Sequence, residues 1–162
     1  KKHGRGGFTC HICVLRPKSV GSVKLADANP NSPPLIDPAF LKDERDLDTM
    51  LAGVKQAQQI MQAPSFDAHR GKALYAGASN DDEELKEDIR NRADTIYHPV
   101  GTCKMGPDSD PNAVVDQRLR VRGIKSLRVI DASIMPKIVS GNTNAPSIMI
   151  GEKGAHMILE DA

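Results

Sequence analysis

One amphipathic stretch between two proline-containing segments constrains the fold of this chain most. From Asp43 to Ala63, apolar residues recur at spacings of three and four, the period of a helix with one buried face. Pro64 ends the pattern, and the proline-rich run Asn29–Pro34 before it fits neither a helix nor a central strand. The spacing therefore predicts a helix over Asp43–Ala63. We interpret its apolar residues as core rather than as cofactor contacts, notably Leu47, Leu51, Val54 and Met61.

Two further helices are predicted. One begins near Ser79, where a small polar residue and four carboxylates suit the positive end of a helix, and it continues to about Ala93. Capping and solvated charge explain these carboxylates without a metal ion. The other helix runs from Ala145 to about Leu159, with Pro146 in its first turn, where the missing N–H costs nothing.

Several short β-type runs complete the pattern. Phe8–Leu15 and Val20–Leu25 are predicted to be neighbouring antiparallel strands, the first of them buried. Val114–Asp116 and Leu127–Asp131 are also strand-like. We therefore expect an α+β fold, an antiparallel sheet with the helix over 43–63 packed across it. At 162 residues, we expect residues 1–162 to form one domain around a single core.

The composition excludes several classes of partner. The 22 Lys and Arg residues against 21 Asp and Glu residues leave a net charge of +1, which argues against nucleic acid or an acidic membrane surface as the main partner. Three Phe, two Tyr and no Trp residues cannot build the stacking platforms of a single-strand binder. The start, Lys1–Gly7, has no Met and no apolar stretch, so we expect an internal part of a longer protein rather than a signal peptide.

The three cysteines are typical of a reducing compartment, and we expect a cytoplasmic protein. Cys10 and Cys13 form a C-x-x-C motif, but residues three apart on a strand face opposite sides. That geometry suits neither a redox pair nor shared metal ligation, and the sequence offers no second ligand pair. No metal site is predicted.

A group of polar residues near the carboxyl end carries the candidate chemistry. His98 has the side chain best suited to accept a proton near neutral pH, and Pro99 holds its backbone extended. Asn142 lies in a polar loop directly before the last helix, whose N-terminus presents free N–H groups. Taken alone, a histidine such as His98 is more often a structural hydrogen-bonding residue than a base, and an asparagine before a helix, such as Asn142, is more often a cap than a catalytic residue. Residue chemistry by itself predicts only a cluster of polar loops.

Three ordered motifs add a family resemblance. They are HPVGTCKMG at His98–Gly106, LRVIDASIMP at Leu127–Pro136, and SGNTNAP at Ser140–Pro146 followed by IMIGEK. Together they closely resemble the carboxy-terminal region of the glucose–methanol–choline (GMC) oxidoreductases. The earlier run Val14–Val23 is similar to the same family, on its choline dehydrogenase and bacterial alcohol dehydrogenase side.

The resemblance implies a function and a set of site residues. It implies an FAD-dependent enzyme that oxidises a primary alcohol to an aldehyde, with hydride passing to flavin N5 and electrons then passing to a carrier. By resemblance, His98 matches the family's catalytic histidine and Asn142 the second catalytic position, which orients the alcohol oxygen. The implied cofactor-binding residues are Asp131, Ala132, Asn144 and Ala145.

The resemblance also implies that part of the enzyme lies elsewhere. Family members begin with a Gly-rich fingerprint for the FAD pyrophosphate, and the sequence contains no G-x-G-x-x-G. Gly4–Gly7 lacks the flanking strand and helix. We therefore expect the substrate-side, C-terminal part of a larger FAD enzyme, whose partners are the FAD-binding half and a small alcohol, choline or an aliphatic one.

Two expectations concern this part by itself. Without the FAD-binding half it should be inactive, and its exposed apolar surface favours self-association. The whole enzyme is expected to be cytoplasmic, with peripheral attachment to the inner membrane as an alternative. A catalytically inert binding module that keeps only the fold is the alternative function.

Overall fold

The computed structural model describes residues 6–162, which form two compact units. Unit 1 contains residues 6–14, Lys18–Gly21 and Pro38–Asp94; unit 2 contains Leu15–Pro17, Ser22–Asp37 and Thr95–Ala162. The described residues form three α-helices and a two-stranded antiparallel sheet, so the predicted α+β class is confirmed. The prediction of a single core is wrong, because each unit buries an apolar cluster of its own. Residues 1–5, which include Lys1 and Gly4, lie outside the described residues.

The helices of unit 1 begin at aspartate caps. Helix α1 spans Glu44–Met61, and the side chain of Asp43 accepts a hydrogen bond from the N–H of Arg45. Helix α2 spans Asp82–Arg92, where Asp81 accepts from the N–H groups of Glu83 and Glu84. Both helices are confirmed, with bounds within a few residues of those predicted. The acidic run at the start of α2 serves as cap and first turn.

The core of unit 1 lies between these two helices. Leu47 and Leu51 of α1 are buried against Leu85 and Ile89 of α2, while Met61 is only half-buried and lies outside this cluster. Unit 1 contains no strand among its described residues, so α1 packs on a helix rather than across strands as predicted. One apolar stripe on each helix therefore closes this small core.

The predicted strand Phe8–Leu15 is wrong. This segment is irregular, and Cys10 in it is exposed rather than buried. Ile12 contacts α1 at Gly53, where a Cβ atom would come 2.6 Å from the Ile12 Cγ2 atom. The apolar residues of this run are therefore used by packing on a helix instead of by pairing in a sheet.

The sheet lies in unit 2 and has a different partner strand from the one predicted. Strand β1, Ser22–Lys24, pairs antiparallel with β2, Leu35–Asp37, with Val23 opposite Ile36. The connecting loop contains Asn29–Pro34 and folds around Asp27, which accepts from the Asn29 N–H at 2.7 Å and from the Ser32 hydroxyl at 2.9 Å. This Asx turn returns the chain beside β1, and so local turn chemistry selects the partner strand.

The core of unit 2 is built from loops and one helix. Helix α3 spans Asn144–Glu160 and contributes Ile150 to a cluster with Val115, Leu119, Ile134 and Met135. The predicted strands Val114–Asp116 and Leu127–Asp131 are wrong as regular strands, because this region holds only isolated β-bridges. The side chains here are covered by α3 and by neighbouring loops, so burial does not require a continuous ladder.

The last turn of α3 is held by charge. The carboxylate of Asp161 accepts hydrogen bonds from the guanidinium groups of Arg118, Arg120 and Arg128. These bonds, first that with Arg120 and then that with Arg128, lower the pKa of Asp161 to about 2. Among residues 6–162, no helix is both long enough and apolar enough to cross a membrane.

Candidate active site

The loop that carries His98 is anchored in the core of unit 2. Its Cys103 N–H donates to the Ser133 carbonyl at 3.1 Å, and its Met105 N–H donates to the Ile134 carbonyl at 2.8 Å. Val100 packs against the buried cluster. The histidine thus projects from a loop whose backbone is fixed at several points, which suits a group that must hold a defined orientation.

The backbone turns sharply on both sides of His98. Tyr97 has a φ of +66°, a left-handed conformation that is uncommon for a residue with a side chain, and Gly101 has a φ of +91°. A Cβ atom at Gly101 would also lie 3.4 Å from the Met135 carbonyl oxygen. These two turns shape the backbone on either side of His98, whose side chain is half-buried.

A second polar loop, Ser140–Thr143, lies against this histidine. Ser140 has a φ of +64°, and its hydroxyl accepts a hydrogen bond of 2.6 Å from Nε of Arg16. The chain then enters α3 at Asn144. The positive φ and the Arg16 contact fix how this loop approaches the helix.

Both ring nitrogens of His98 have a hydrogen-bonding partner on this loop. Nε2 lies 3.1 Å from Oδ1 of Asn142, and Nδ1 lies 3.0 Å from Oγ1 of Thr143. The structure therefore brings together the two predicted catalytic residues, 44 positions apart in sequence. His98 is thus held in a defined hydrogen-bonding arrangement and is not an isolated surface histidine.

The N-terminus of α3 is open beside this group. Thr143 is the N-cap residue, yet no side chain caps the helix there, and Asn144 and Ala145 are exposed in its first turn. The first N–H groups of a helix have no acceptor within the helix, and the helix dipole adds partial positive charge at this end. The alternative interpretation of Asn142 as the helix cap does not hold, because Thr143 is the N-cap residue and Oδ1 of Asn142 contacts His98.

The other two predicted cofactor residues lie on the stretch that supports the His98 loop. Asp131 caps a short 3-10 turn, Ala132–Ile134, and accepts a hydrogen bond of 2.8 Å from the Ser133 N–H. The carbonyls of Ser133 and Ile134 are the acceptors that hold Cys103 and Met105. Asp131 is exposed and Ala132 is half-buried. Their position is thus tied to that of His98 through the backbone of the loop.

The cysteines have no common site. Cys10, Cys13 and Cys103 are all free, and within residues 6–162 no three His, Cys, Asp or Glu side chains gather as metal ligands would. The predicted strand that would place Cys10 and Cys13 on opposite faces is absent, since their segment is irregular.

Thr143 is the site residue that sequence reasoning missed. Its position directly before a helix is typical of a capping residue, and a cap needs no further explanation. The signal that could have found Thr143 is its position next to Asn142. Because the two residues are adjacent in one loop, a histidine that contacts Asn142 can also contact Thr143.

Comparison with known proteins gives the class of this chain. The family model for GMC oxidoreductases matches residues 17–151, and the chain belongs to that family. It is 52% identical, over 98% of its length, to the alcohol dehydrogenase (acceptor) of Pseudomonas putida, and 45% identical, over 96% of its length, to the mitochondrial choline dehydrogenase of Homo sapiens.

A solved structure has the same fold. The crystal structure of pyridoxine 4-oxidase from Mesorbium loti matches 90% of the chain with a TM-score of 0.84 and 33% identity. The chain covers 30% and 27% of the two enzymes named above, and 28% of the pyridoxine 4-oxidase chain. It therefore spans less than a third of the length of these relatives. The family-model match over residues 17–151 includes the His98 loop and the Asn142 loop.

Proposed function

We propose that this chain supplies the acid–base side of an FAD-dependent dehydrogenase that oxidises a primary alcohol, choline or an aliphatic alcohol, to the aldehyde. The observation that carries the proposal is the position of His98. Its ring lies between Asn142 and Thr143, at the uncapped N-terminus of a 17-residue helix. The names of the relatives support alcohols as the substrate class.

His98 takes up the proton of the alcohol in this proposal. A protonated imidazole has two N–H donors, and the ring nitrogens of His98 face two oxygens, Oγ1 of Thr143 and Oδ1 of Asn142. Both oxygens can accept, so the surroundings of the ring match the form that exists after proton uptake. This pre-organisation is what a general base requires.

Asn142 positions the alcohol. Its amide is exposed and lies 3.1 Å from Nε2 of His98, so an oxygen that replaces this contact lies within reach of both side chains. The amide donates to that oxygen while the imidazole receives the proton. Asn142 exchanges no proton itself, and its contribution should therefore be smaller than that of His98.

The residues at the start of α3 fit a flavin. The N–H groups of the exposed residues Asn144 and Ala145, at the positive end of the helix dipole, suit the ring edge that becomes negative on reduction. Asp131 and Ala132 would contribute from the stretch that supports the His98 loop. The chemistry that FAD supplies when bound is a two-electron acceptor for the hydride that leaves the alcohol carbon. The pyrophosphate must be held outside this chain, whose sequence has no Gly-rich fingerprint.

The whole enzyme then consists of this chain and an FAD-binding half, with residues 1–162 as its C-terminal domain. Electrons pass to a carrier, in keeping with the name of the Pseudomonas putida relative. We place the enzyme in the cytoplasm, with peripheral attachment to the inner membrane as the alternative.

The test is a His98→Ala substitution in the enzyme that contains this chain and its FAD-binding half. We expect kcat and kcat/KM for the alcohol to fall together by roughly 10²–10⁴-fold, the usual contribution of a positioned acid–base group. Asn142→Ala should cost less. Flavin content and Tm should be retained in both variants, because neither side chain holds the cofactor.

The alternative function predicts a different pattern. If the chain is an inert module, His98→Ala lowers stability or flavin content while whatever folds keeps its rate. Measuring flavin absorbance, Tm and steady-state rates on the same preparations separates the two. A His98→Ala enzyme with full flavin and an unchanged rate would exclude His98 as the base.

A further inference from the structure

The side chain of Thr143 is in the right place to cap α3 and does not cap it. A threonine at the N-cap normally accepts a hydrogen bond from an N–H two or three residues later. Here the ψ angle of Thr143 is near 1° instead of extended, and its hydroxyl lies 3.0 Å from Nδ1 of His98. The hydroxyl is thus committed to the histidine rather than to the helix.

Ser147, rather than the Thr143 side chain, stabilises the start of α3. Both its N–H, at 3.0 Å, and its hydroxyl, at 2.6 Å, donate to the carbonyl oxygen of Thr143. The backbone of Thr143 is therefore fixed by the helix, while its side chain is fixed on His98. The first turn of α3 holds the Thr143 carbonyl and leaves its hydroxyl available for the contact with Nδ1 of His98.

We propose that Thr143 is a positioning residue that stabilises the reactive tautomer of His98. This inference rests on the proposed function, in which Nε2 of His98 receives the proton. In the contact described here, Asn142 Oδ1 accepts a hydrogen bond from the Nε2–H group, and the Thr143 hydroxyl donates one to Nδ1.

An alcohol that replaces Asn142 Oδ1 at Nε2 requires the other tautomer. Nε2 must then carry the lone pair, and the proton of the neutral ring must lie on Nδ1. The Thr143 hydroxyl can rotate and accept that N–H, because a hydroxyl both donates and accepts. A methyl group in the same place can do neither, and it would leave Nδ1–H without a partner.

The experiment compares four variants with the unchanged protein: Thr143→Val, Thr143→Ala, Thr143→Ser and the control Thr49→Val. Thr49 is a matched control, because it is an exposed threonine of α1 whose hydroxyl bonds to the Arg45 carbonyl. The first readout is the ¹⁵N chemical shifts of the His98 ring in the enzyme that includes the FAD-binding half, with a non-oxidisable alcohol analogue bound at Nε2; these shifts report the tautomer. The second is kcat and KM in the enzyme that includes the FAD-binding half.

We expect Thr143→Val to move the ring shifts toward the Nε2–H tautomer and to lower kcat by about 10- to 100-fold, the usual effect of removing a group that orients a functional histidine. KM should change little, since Thr143 does not touch the alcohol. Thr143→Ala should behave in the same way, and it provides the measurement if Val disturbs the loop. Thr143→Ser should restore both readouts, and Thr49→Val should leave both unchanged.

Several outcomes would overturn the proposal: ring shifts and kcat that stay unchanged in Thr143→Val and Thr143→Ala, or a serine that fails to restore them. The proposed function fails independently, if His98→Ala keeps the rate of the enzyme. In that case the ring shifts of the Thr143 variants still report whether the hydroxyl controls the tautomer.

Discussion

A Cβ atom on Gly154 would lie 2.3 Å from Cγ2 of Ile130, so α3 approaches its unit's core at a distance that only glycine permits. Gly154 is buried, and two further Ile130 carbons lie within 3.2 Å of the same point. We expect Gly154→Ala to lower the free energy of unfolding by about 1–3 kcal/mol, the cost of an overpacked core. Chemical denaturation of the chain measures this.

Gly151 on the same helix is the control for that prediction. Apart from the chain neighbours and the backbone of α3 itself, no heavy atom lies within 4 Å of a Cβ at this position, so Gly151→Ala should stabilise the chain by about 0.5–1 kcal/mol through helix propensity alone. If the two substitutions change stability in the same direction, the close approach of Ile130 does not limit residue size at Gly154.

A second prediction concerns the buried carboxylate of Asp46. It is 4% exposed and accepts 2.8 Å hydrogen bonds from the N–H groups of Lys18 and Ser19. Asp46→Asn replaces one acceptor with a donor that faces an N–H, so unfolding free energy should fall by about 1–3 kcal/mol. Asp48→Asn, an exposed neighbour on α1, should stay within about 0.5 kcal/mol of the unchanged chain.

The same group gives a pH dependence with a definite sign. Burial acts to raise the pKa of Asp46, but hydrogen bonds from the Ser19 side chain and from the two N–H groups outweigh it, and the net pKa is lowered from 3.8. A lowered pKa in the folded state means that this stabilisation is present above pH 3.8 and is lost as the pH falls below it. The stability difference between Asp46→Asn and the unchanged chain should therefore shrink in acid.

The sequence predicted helices well because their signals are local. Asp43 and Asp81 cap α1 and α2, and the three-and-four spacing of Leu47 and Leu51 marks the face that is buried. Strands failed because pairing is not local. Nothing within Val20–Leu25 shows that its partner is Leu35–Asp37, since the turn around Asp27 decides this.

The site was predictable in its members and not in its geometry. His98 and Asn142 carry recognisable chemistry, and a 3.1 Å contact joins them. The role of Thr143 depends on a ψ angle near 1° and on Ser147 holding its carbonyl, and neither can be seen in a list of residue types. The sequence therefore does not predict that the Thr143 hydroxyl contacts His98 instead of capping α3.

A third prediction concerns acid sensitivity at the end of α3. The pKa of Asp161 is lowered from 3.8 to about 2, chiefly by its hydrogen bonds with Arg120 and Arg128. Its contribution to stability is thus complete above about pH 4 and disappears as the pH falls through about 2. The Tm difference between Asp161→Asn and the unchanged chain should be largest near pH 6 and should close between pH 4 and pH 2.

Asp108 provides the comparison for this titration. Its carboxylate pairs with Arg122 at 2.7 Å, but its side chain is 96% exposed, so the pair should contribute little. Asp108→Asn should leave Tm nearly unchanged across the whole range. An Asp161→Asn chain whose Tm difference stays constant from pH 6 to pH 2 would contradict the arginine cluster as the cause.

The fourth prediction concerns the 162-residue chain without its FAD-binding half. We expect it to be colourless after purification with added FAD and to oxidise no alcohol, because its sequence lacks the pyrophosphate fingerprint. Stoichiometric flavin absorbance in the purified chain would contradict this.

The fifth prediction concerns self-association of that same chain. The strand pair exposes apolar side chains, including Ile36, which is 67% exposed, and the neighbouring Leu25, which is 85% exposed. Exposed apolar patches favour association, so light scattering should show a mass that rises with concentration. Ile36→Lys should reduce that rise, and a chain that is monomeric at every concentration would contradict it.

The contacts of the His98 ring come from consecutive residues, and this has a consequence for how the loop can vary. Asn142 meets one ring nitrogen, Thr143 meets the other, and Asn144 opens the helix. One inserted residue would move a neighbour into each of these three positions at once. Substitution in this segment alters one contact, whereas a change of length alters all of them, so the loop tolerates changes of residue type better than changes of length.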